Sequence, residues 1–249
     1  MRWTSVLLLV GSCTWGGLEA GEDVMLQKDG RIIFQKPKNR QSWNWKATRW
    51  GMYQVVGKPA DAKFTVSLAD QEAKNGKRIY VAKAGSQVLK IGGPDAGSVK
   101  ALSLVPAPEG DPVQQAESGE ILLDAGSAIT HGLYLRYEPQ KKKRCLGFWK
   151  NPDDWAEWAF NVSMPGTFRV VLTQGCGKGH GGSTVEVQVG KQVLEFEVRD
   201  TGGFQNWSEF VLGTVKISSA GEHGLSVKPV NKANGAVMDI HKIELIPVN

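Results

Sequence analysis

The chain has 249 residues, 41% hydrophobic and 22% charged, a balance that excludes disordered, collagen-like and coiled-coil classes and supplies enough apolar surface for a core. Thirty Gly and eleven Pro, about one residue in six, suit turn-rich β structure and oppose long helices. The net charge is +5, but 30 Lys and Arg are interleaved with 25 acids, so no basic face announces a nucleic-acid partner.

Residues 1–20 open on the positive Met1 and Arg2, continue as an apolar stretch from Thr4 to Gly17, and end in the small-residue context of Leu18, Glu19 and Ala20. This pattern predicts a secretory signal peptide and a secreted or periplasmic product. The apolar stretch is too short to cross a bilayer core of about 30 Å, and no later stretch is longer, so no transmembrane segment is expected. Beyond the leader, Cys145 and Cys176 are left. In an oxidising compartment they can pair or stay as two separate thiols, and both readings stay open. Cys176 and His180 have a ligand-like spacing but no second pair nearby, which opposes zinc.

After the leader, two stretches match element by element. Residues 78–85, 88–91 and 99–106 read as strand, Ala-Gly turn, strand, loop, strand and Pro. Residues 214–221, 224–229 and 238–247 read the same way. The earlier parts also correspond: Trp43 and Trp45 followed by Gly51, Tyr53 and Val56 parallel Trp155 and Trp158 followed by Gly166, Phe168 and Val171. The sequence therefore predicts an all-β protein of two tandem β-sandwich modules of jelly-roll type. A shortened, degenerate copy would cover 21–106, a Pro-rich linker 107–118, and a fuller copy 119–249.

The second copy is the longer one. Gly51 and Gly85 are 34 residues apart, whereas their counterparts Gly166 and Gly221 are 55 apart. The extra length holds a Gly-rich loop at 175–182, alternating strands at 184–189 and 193–198, and the segment 201–207. The paired tryptophans of both copies read as core, because large aromatics fill a small sandwich. The 175–182 loop lacks the Ser or Thr and helix of a phosphate-binding loop and reads as a flexible turn. The run 141–144, Lys-Lys-Lys-Arg, reads as a solvated charge cluster, with electrostatic holding of an acidic polysaccharide as the alternative.

The segments Leu135-Arg-Tyr-Glu-Pro139, Leu146-Gly-Phe-Trp149, Asp153-Asp-Trp155, Gln174-Gly-Cys-Gly-Lys178, Thr201-Gly-Gly-Phe204 and Val237-Met-Asp239 together resemble accessory β-sandwich modules of bacterial secreted sulfatases and α-L-fucosidases. These are the galactose-binding-like, family 6 and 35 type carbohydrate-binding modules. The resemblance covers residues 120–249 closely and the first copy in outline. It implies a secreted, non-catalytic protein that binds a polysaccharide or glycan, including an anionic or sulfated one, through loop aromatics of the second module. The alternative it leaves is a structural or protein-docking accessory of a secreted hydrolase.

By position the resemblance assigns carbohydrate contacts to Trp149, to Phe204 with Trp207 as its alternative, and to Asn231 or Asn234. A flat ring covers the apolar C–H face of a pyranose while amides and charges bind its hydroxyls. Lys178 and His180 are the candidates for an anionic substituent. The resemblance also implies a structural calcium between Glu138 and Asp239, although calcium wants six to eight oxygens. No other cofactor is expected. No nucleophile elbow appears and no acid spacing predicts a glycosidase pair, so the sequence reads as a binder rather than an enzyme.

Overall fold

The computed structural model of the chain describes residues 23–35, 40–82 and 85–248. The leader expected over residues 1–20 lies outside them. Apolar residues alternating with polar ones at period two make strands that bury one face, and this pattern builds both halves. The first half runs β1 (Val24–Leu26), β2 (Ile32–Phe34), β3 (Ser42–Lys46), β4 (Gly51–Lys58), β5 (Thr65–Leu68), β6 (Gln71–Lys74), β7 (Arg78–Val81), β8 (Ser86–Gly92) and β9 (Ala101–Pro106). Its two sheets have the orders β1-β2-β9-β4-β7 and β3-β8-β5-β6. Between them lies one core, in which Trp43 and Trp45 of β3 meet Tyr53, Val55, Leu89 and Leu104. The two indoles are two residues apart and so share a face, each edge-on to Phe34 at 5.4 and 5.3 Å.

The second half continues with β10 (Val113–Gln114), β11 (Ile121–Asp124), β12 (Ile129–His131), β13 (Arg136–Glu138), β14 (Cys145–Gly147), β15 (Trp155–Val162), β16 (Gly166–Cys176), β17 (Thr184–Val189), β18 (Gln192–Glu197), β19 (Gly203–Ile217), β20 (Gly221–Asn231) and β21 (Asp239–Val248). One sheet has the order β10-β15-β20-β17-β18 with β12 also on β15, and the other β13-β14-β21-β16-β19 with β11 on β21. Their inner faces share a core that includes Trp158, Phe160, Phe168, Leu172, Val187 and Leu225. The protein is all-β, with sheets that are antiparallel except at β10, packed as sandwiches, and no α-helix among the described residues. In both halves the Trp-bearing strand pairs with the strand that follows the Ala-Gly turn or the Gly opening, β3 with β8 and β15 with β20. Likewise β4 lies between β7 and β9, and β16 between β19 and β21.

One core expectation needs correcting. Trp155 and Trp158 are three residues apart, so in a strand they point to opposite faces. Trp158 is buried and donates Nε1–H to the Asp124 carbonyl at 2.7 Å. Trp155 is half-buried on the outer face, stacked on His131 at 3.9 Å with the Lys228 ammonium 4.3 Å from its ring.

The connecting segment 107–118 is tied to both halves. Arg78 of β7 donates to the carbonyls of Pro108 at 2.9 Å and Gly110 at 2.7 Å. Farther on, β10 pairs in parallel with β15, Val113 opposite Phe160. A second tie is the buried Arg49, which donates to Tyr53 Oη at 2.7 Å and, across the halves, to Thr130 O and Oγ1 at 2.6 and 2.7 Å.

Because only Trp158 fills the core, Trp158→Ala should lower the unfolding free energy by about 3–5 kcal/mol. Trp155→Ala should cost less than about 1 kcal/mol. Urea midpoints of the two variants check the difference.

Candidate functional site

The site begins with a carboxylate that the strand pattern does not need. Asp154 is fully buried and accepts from the backbone N–H groups of Leu133 (2.9 Å), Tyr134 (2.8 Å) and Leu135 (2.8 Å) and from Asn151 Nδ2 (2.9 Å). It thereby joins the segment entering β13 to the loop leaving β14. Gly132 is required beside it: its φ is +115°, and a Cβ there would lie 2.1 Å from Asp154 Oδ1.

The same loop decides which aromatic faces outward. Trp149 donates Nε1–H to the Asp154 carbonyl at 2.8 Å, and its own carbonyl accepts from Val237 N–H at 2.9 Å. It is 0% exposed. The expected platform is therefore a buried wall, because its only polar atom is satisfied inside. The ring turned outward is its neighbour Phe148, 36% exposed at a backbone φ of +60°.

Phe148 and Phe204 border an open cleft of about 330 Å³. Trp149 and Ala236 contribute apolar lining, and Lys143, Lys150 and Gln205 supply donors. Glu138 and Asp239 form its floor, brought together by the rungs Glu138–Cys145 and Leu146–Ile240 of neighbouring strands. Gly147 leaves room for them, since a Cβ there would come within 2.4 Å of Glu138 Oε1 and 3.2 Å of Asp239 Oδ1. Lys143 Nζ donates to Glu138 Oε2 at 2.6 Å, so one residue of the 141–144 run, still partly exposed, neutralises one acid of the floor. Gln205 Nε2 donates to Asp239 Oδ2 at 3.1 Å, and the Cys145 thiol lies 3.6 Å from the same oxygen.

Burial, with Glu138 adding repulsion, raises the Asp239 carboxyl to about 7, while Cys145 and Gln205 pull the other way. Burial and the two acids push the Cys145 thiol well above its ordinary range. Cys176, at the end of β16, is raised to about 11 chiefly by burial. Both cysteines are free and buried, which settles the open alternative in favour of separate thiols.

Glu138 and Asp239 meet as the resemblance implied, with Cys145 as a third potential ligand and all three ligand atoms within 4.8 Å of one another. The set does not suit calcium. It offers two carboxylates and a thiol where a hard cation wants six to eight oxygens, and an ammonium already sits on Glu138.

The other expected contacts are not among the residues lining the cleft. The half-buried His180 ring is 5.3 Å from Phe204, and its buried Nδ1 has no hydrogen-bond partner. Lys178 is exposed. Asn234 Nδ2 donates to the Gly181 carbonyl at 2.8 Å, and Asn231 Nδ2 to Thr184 Oγ1 at 3.1 Å. Trp207 stacks on His241 at 5.0 Å. The Gly-rich loop is pinned: Asp200 accepts from the N–H groups of Gly179 and Gly202, which hold its carboxyl below the usual range. An internal carboxylate thus takes a backbone donor that an anion would need.

Sequence reasoning missed Phe148, Lys143, Lys150 and Gln205. Of the adjacent pair Phe148 and Trp149 only one can face out, and nothing in the sequence says that Trp149 bonds Asp154 O. Two further hollows are lined differently. One of about 390 Å³ in the first half has Phe64 in its wall, but that ring is buried. Another of about 470 Å³ is lined by Tyr137, Arg144, His241 and Lys242 among others.

The chain matches the domain of unknown function DUF5077 over residues 139–246. No curated protein matches it in sequence. Among solved structures it is similar to the C-terminal CBM6 of LamC, a marine laminarinase of Zobellia galactanivorans, at 21% identity over 51% of this chain and 98% of that one, with a TM-score of 0.42. It is similar to a family 35 carbohydrate binding module from Clostridium thermocellum at 14% identity over 50% of this chain and 97% of that one, TM-score 0.41. An α-L-fucosidase from Vibrio sp. strain EJY3 is 16% identical over 90% of this chain and 39% of its own length, TM-score 0.35. Similarity at this level carries neither ligand nor activity across.

Asp239 gives the site a pH dependence. Its folded pKa lies above the unfolded value, so the folded state holds the proton more tightly and stability falls as pH rises from about 4 to about 7. Asp239→Asn should flatten that slope, as read from urea midpoints at pH 5 and pH 7.5, with the larger gain over wild type at pH 7.5.

Proposed function

We propose that the second half is a carbohydrate-binding module whose site is the cleft between Phe148 and Phe204. One observation carries the reading: an outward-facing ring stands beside an open hollow whose floor and rim present carboxylate, amide and ammonium groups. That combination suits a saccharide, apolar on its C–H faces and polar around its edge. Lys150, with its ammonium 6.0 Å from the Phe148 ring, favours a sugar bearing a carboxylate or sulfate, while Lys143 is already engaged by Glu138. His180, whose ring is 5.3 Å from Phe204, and the exposed Lys178 are further candidates for contact with a longer chain. The leader pattern supports export, and the shared strand order of the two halves supports a duplicated module with a shortened first copy. In this setting the protein acts as a non-catalytic accessory that holds a secreted hydrolase or the cell surface on polysaccharide.

A second reading, cleavage, is favoured by the closeness of Glu138 and Asp239, since a retaining glycosidase uses two carboxyl groups about 5 Å apart. Binding is the better account. Glu138 is engaged by Lys143 and Asp239 by Gln205 and Cys145, which leaves no free nucleophile, and the pair forms the floor rather than flanking a chain.

An array of neutral, uronate-bearing and sulfated polysaccharides tests the proposal. The intact protein should retain at least one glycan, and Phe148→Ala and Phe204→Ala should each weaken retention roughly tenfold or more. Retention of a charged glycan should fall as salt is raised. Equal retention by both variants, or none by the intact protein, would overturn it, and new reducing ends in the bound fraction would favour cleavage.

A further inference from the structure

Phe148 has a backbone conformation that non-glycine residues seldom adopt, at φ +60°, and its ring is partly in solvent. Such a residue keeps one orientation only when its surroundings over-determine it. Those surroundings come from both halves of the molecule, Arg136 from its own and Trp50 from the other. The Arg136 guanidinium lies 3.6 Å from the centre of the Phe148 ring and 3.4 Å from the centre of the Trp50 ring, wedged between the two. The rings themselves meet edge-on at 6.1 Å. Arg136 stands opposite Gly147 in the β13–β14 ladder, one residue from Phe148, so its backbone is fixed against the same rung. It is buried, and its Nε has no hydrogen-bond partner.

Trp50 is anchored in turn. Its neighbour Arg49 crosses to Thr130 O and Oγ1, and β4 begins at the next residue, Gly51. A continuous line of contact therefore runs from Thr130 through Arg49, Trp50 and Arg136 to the ring at the cleft. Burial lowers Arg136 to about 10, so the guanidinium is still charged at neutral pH and each stacking contact keeps its cation–π character.

We propose that Trp50 of the first half is a positioning residue for the cleft of the second, fixing the Phe148 ring through the intervening Arg136. The first half is then a structural part of the binding unit rather than an independent appendage. This rests on the reading of the cleft as the ligand site, but the geometry can be tested without a ligand.

The test uses the full chain carrying 4-fluorophenylalanine at position 148, read by fluorine NMR, with a parallel label at the buried Phe168 as a reporter of the core. Trp50→Ala should move the 148 resonance toward that of the free amino acid and leave the 168 resonance in place. Trp50→Phe, which restores an aromatic face, should return most of the shift. In an Arg136→Met background, Trp50→Ala should add nothing further, because the intermediary is gone. On any glycan retained in the array, Trp50→Ala should weaken binding about threefold to tenfold. An unchanged 148 resonance in Trp50→Ala, or the same shift in the Arg136→Met background, would overturn the proposal. A moved 148 resonance with no glycan retained would instead sink the carbohydrate reading and leave the positioning role standing.

Discussion

The cleft depends on one buried carboxylate. Asp154 draws three consecutive backbone N–H groups and an asparagine amide onto its two oxygens, while its own carbonyl holds the Trp149 indole. A buried carboxylate is tolerable only when its lone pairs are filled, so the segment at 133–135 and the loop at 149–154 have little freedom to move apart. With Trp149 pinned inside, the preceding residue, Phe148, is the exposed ring. The floor follows from the ladder: Glu138, Cys145 and Asp239 come from three neighbouring strands, and Gly147 provides the space in which two acids converge.

Charge in this floor is arranged rather than merely buried. Lys143 is directed onto Glu138 and compensates one acid. The raised pKa of Asp239 lets the other shed its charge by taking up a proton below about pH 7. The cleft therefore carries an ammonium, a carboxylate and a carboxyl whose state changes near neutral pH. That is a hydrogen-bonding surface of mixed polarity, suited to hydroxyl-rich ligands, and a poor cage for a hard cation.

Much of the fold was legible because period-two alternation is written directly into the chain. The strands at 184–189 and 192–197, the buried pair Trp43 and Trp45, and the all-β class follow from it. Trp155 was misread because its three-residue spacing from Trp158 was treated as one aromatic pair, although an odd spacing in a strand splits a pair across the sheet. Of the residues around the candidate cleft, Phe204 was expected as a sugar contact and Glu138 and Asp239 only as calcium ligands, whereas Phe148 was illegible, since a hydrogen bond between an indole and a distant carbonyl leaves no trace in composition or spacing. Lys143 was hidden in a run of like charges, where only the turn geometry selects the member that points inward. Arg136, flanked by Leu135 and Tyr137, carried no signal that it would join the two halves.

The central claim is that saccharide is held between Phe148 and Phe204. A titration of the isotopically labelled full chain with a retained oligosaccharide, followed residue by residue through its backbone amide resonances, tests it most directly. The account predicts that the largest changes fall on residues 147–150, 204–205 and 236–239, with little at the outer face around His131, Trp155 and Lys228. Changes centred on that outer face, with the cleft silent, would contradict it.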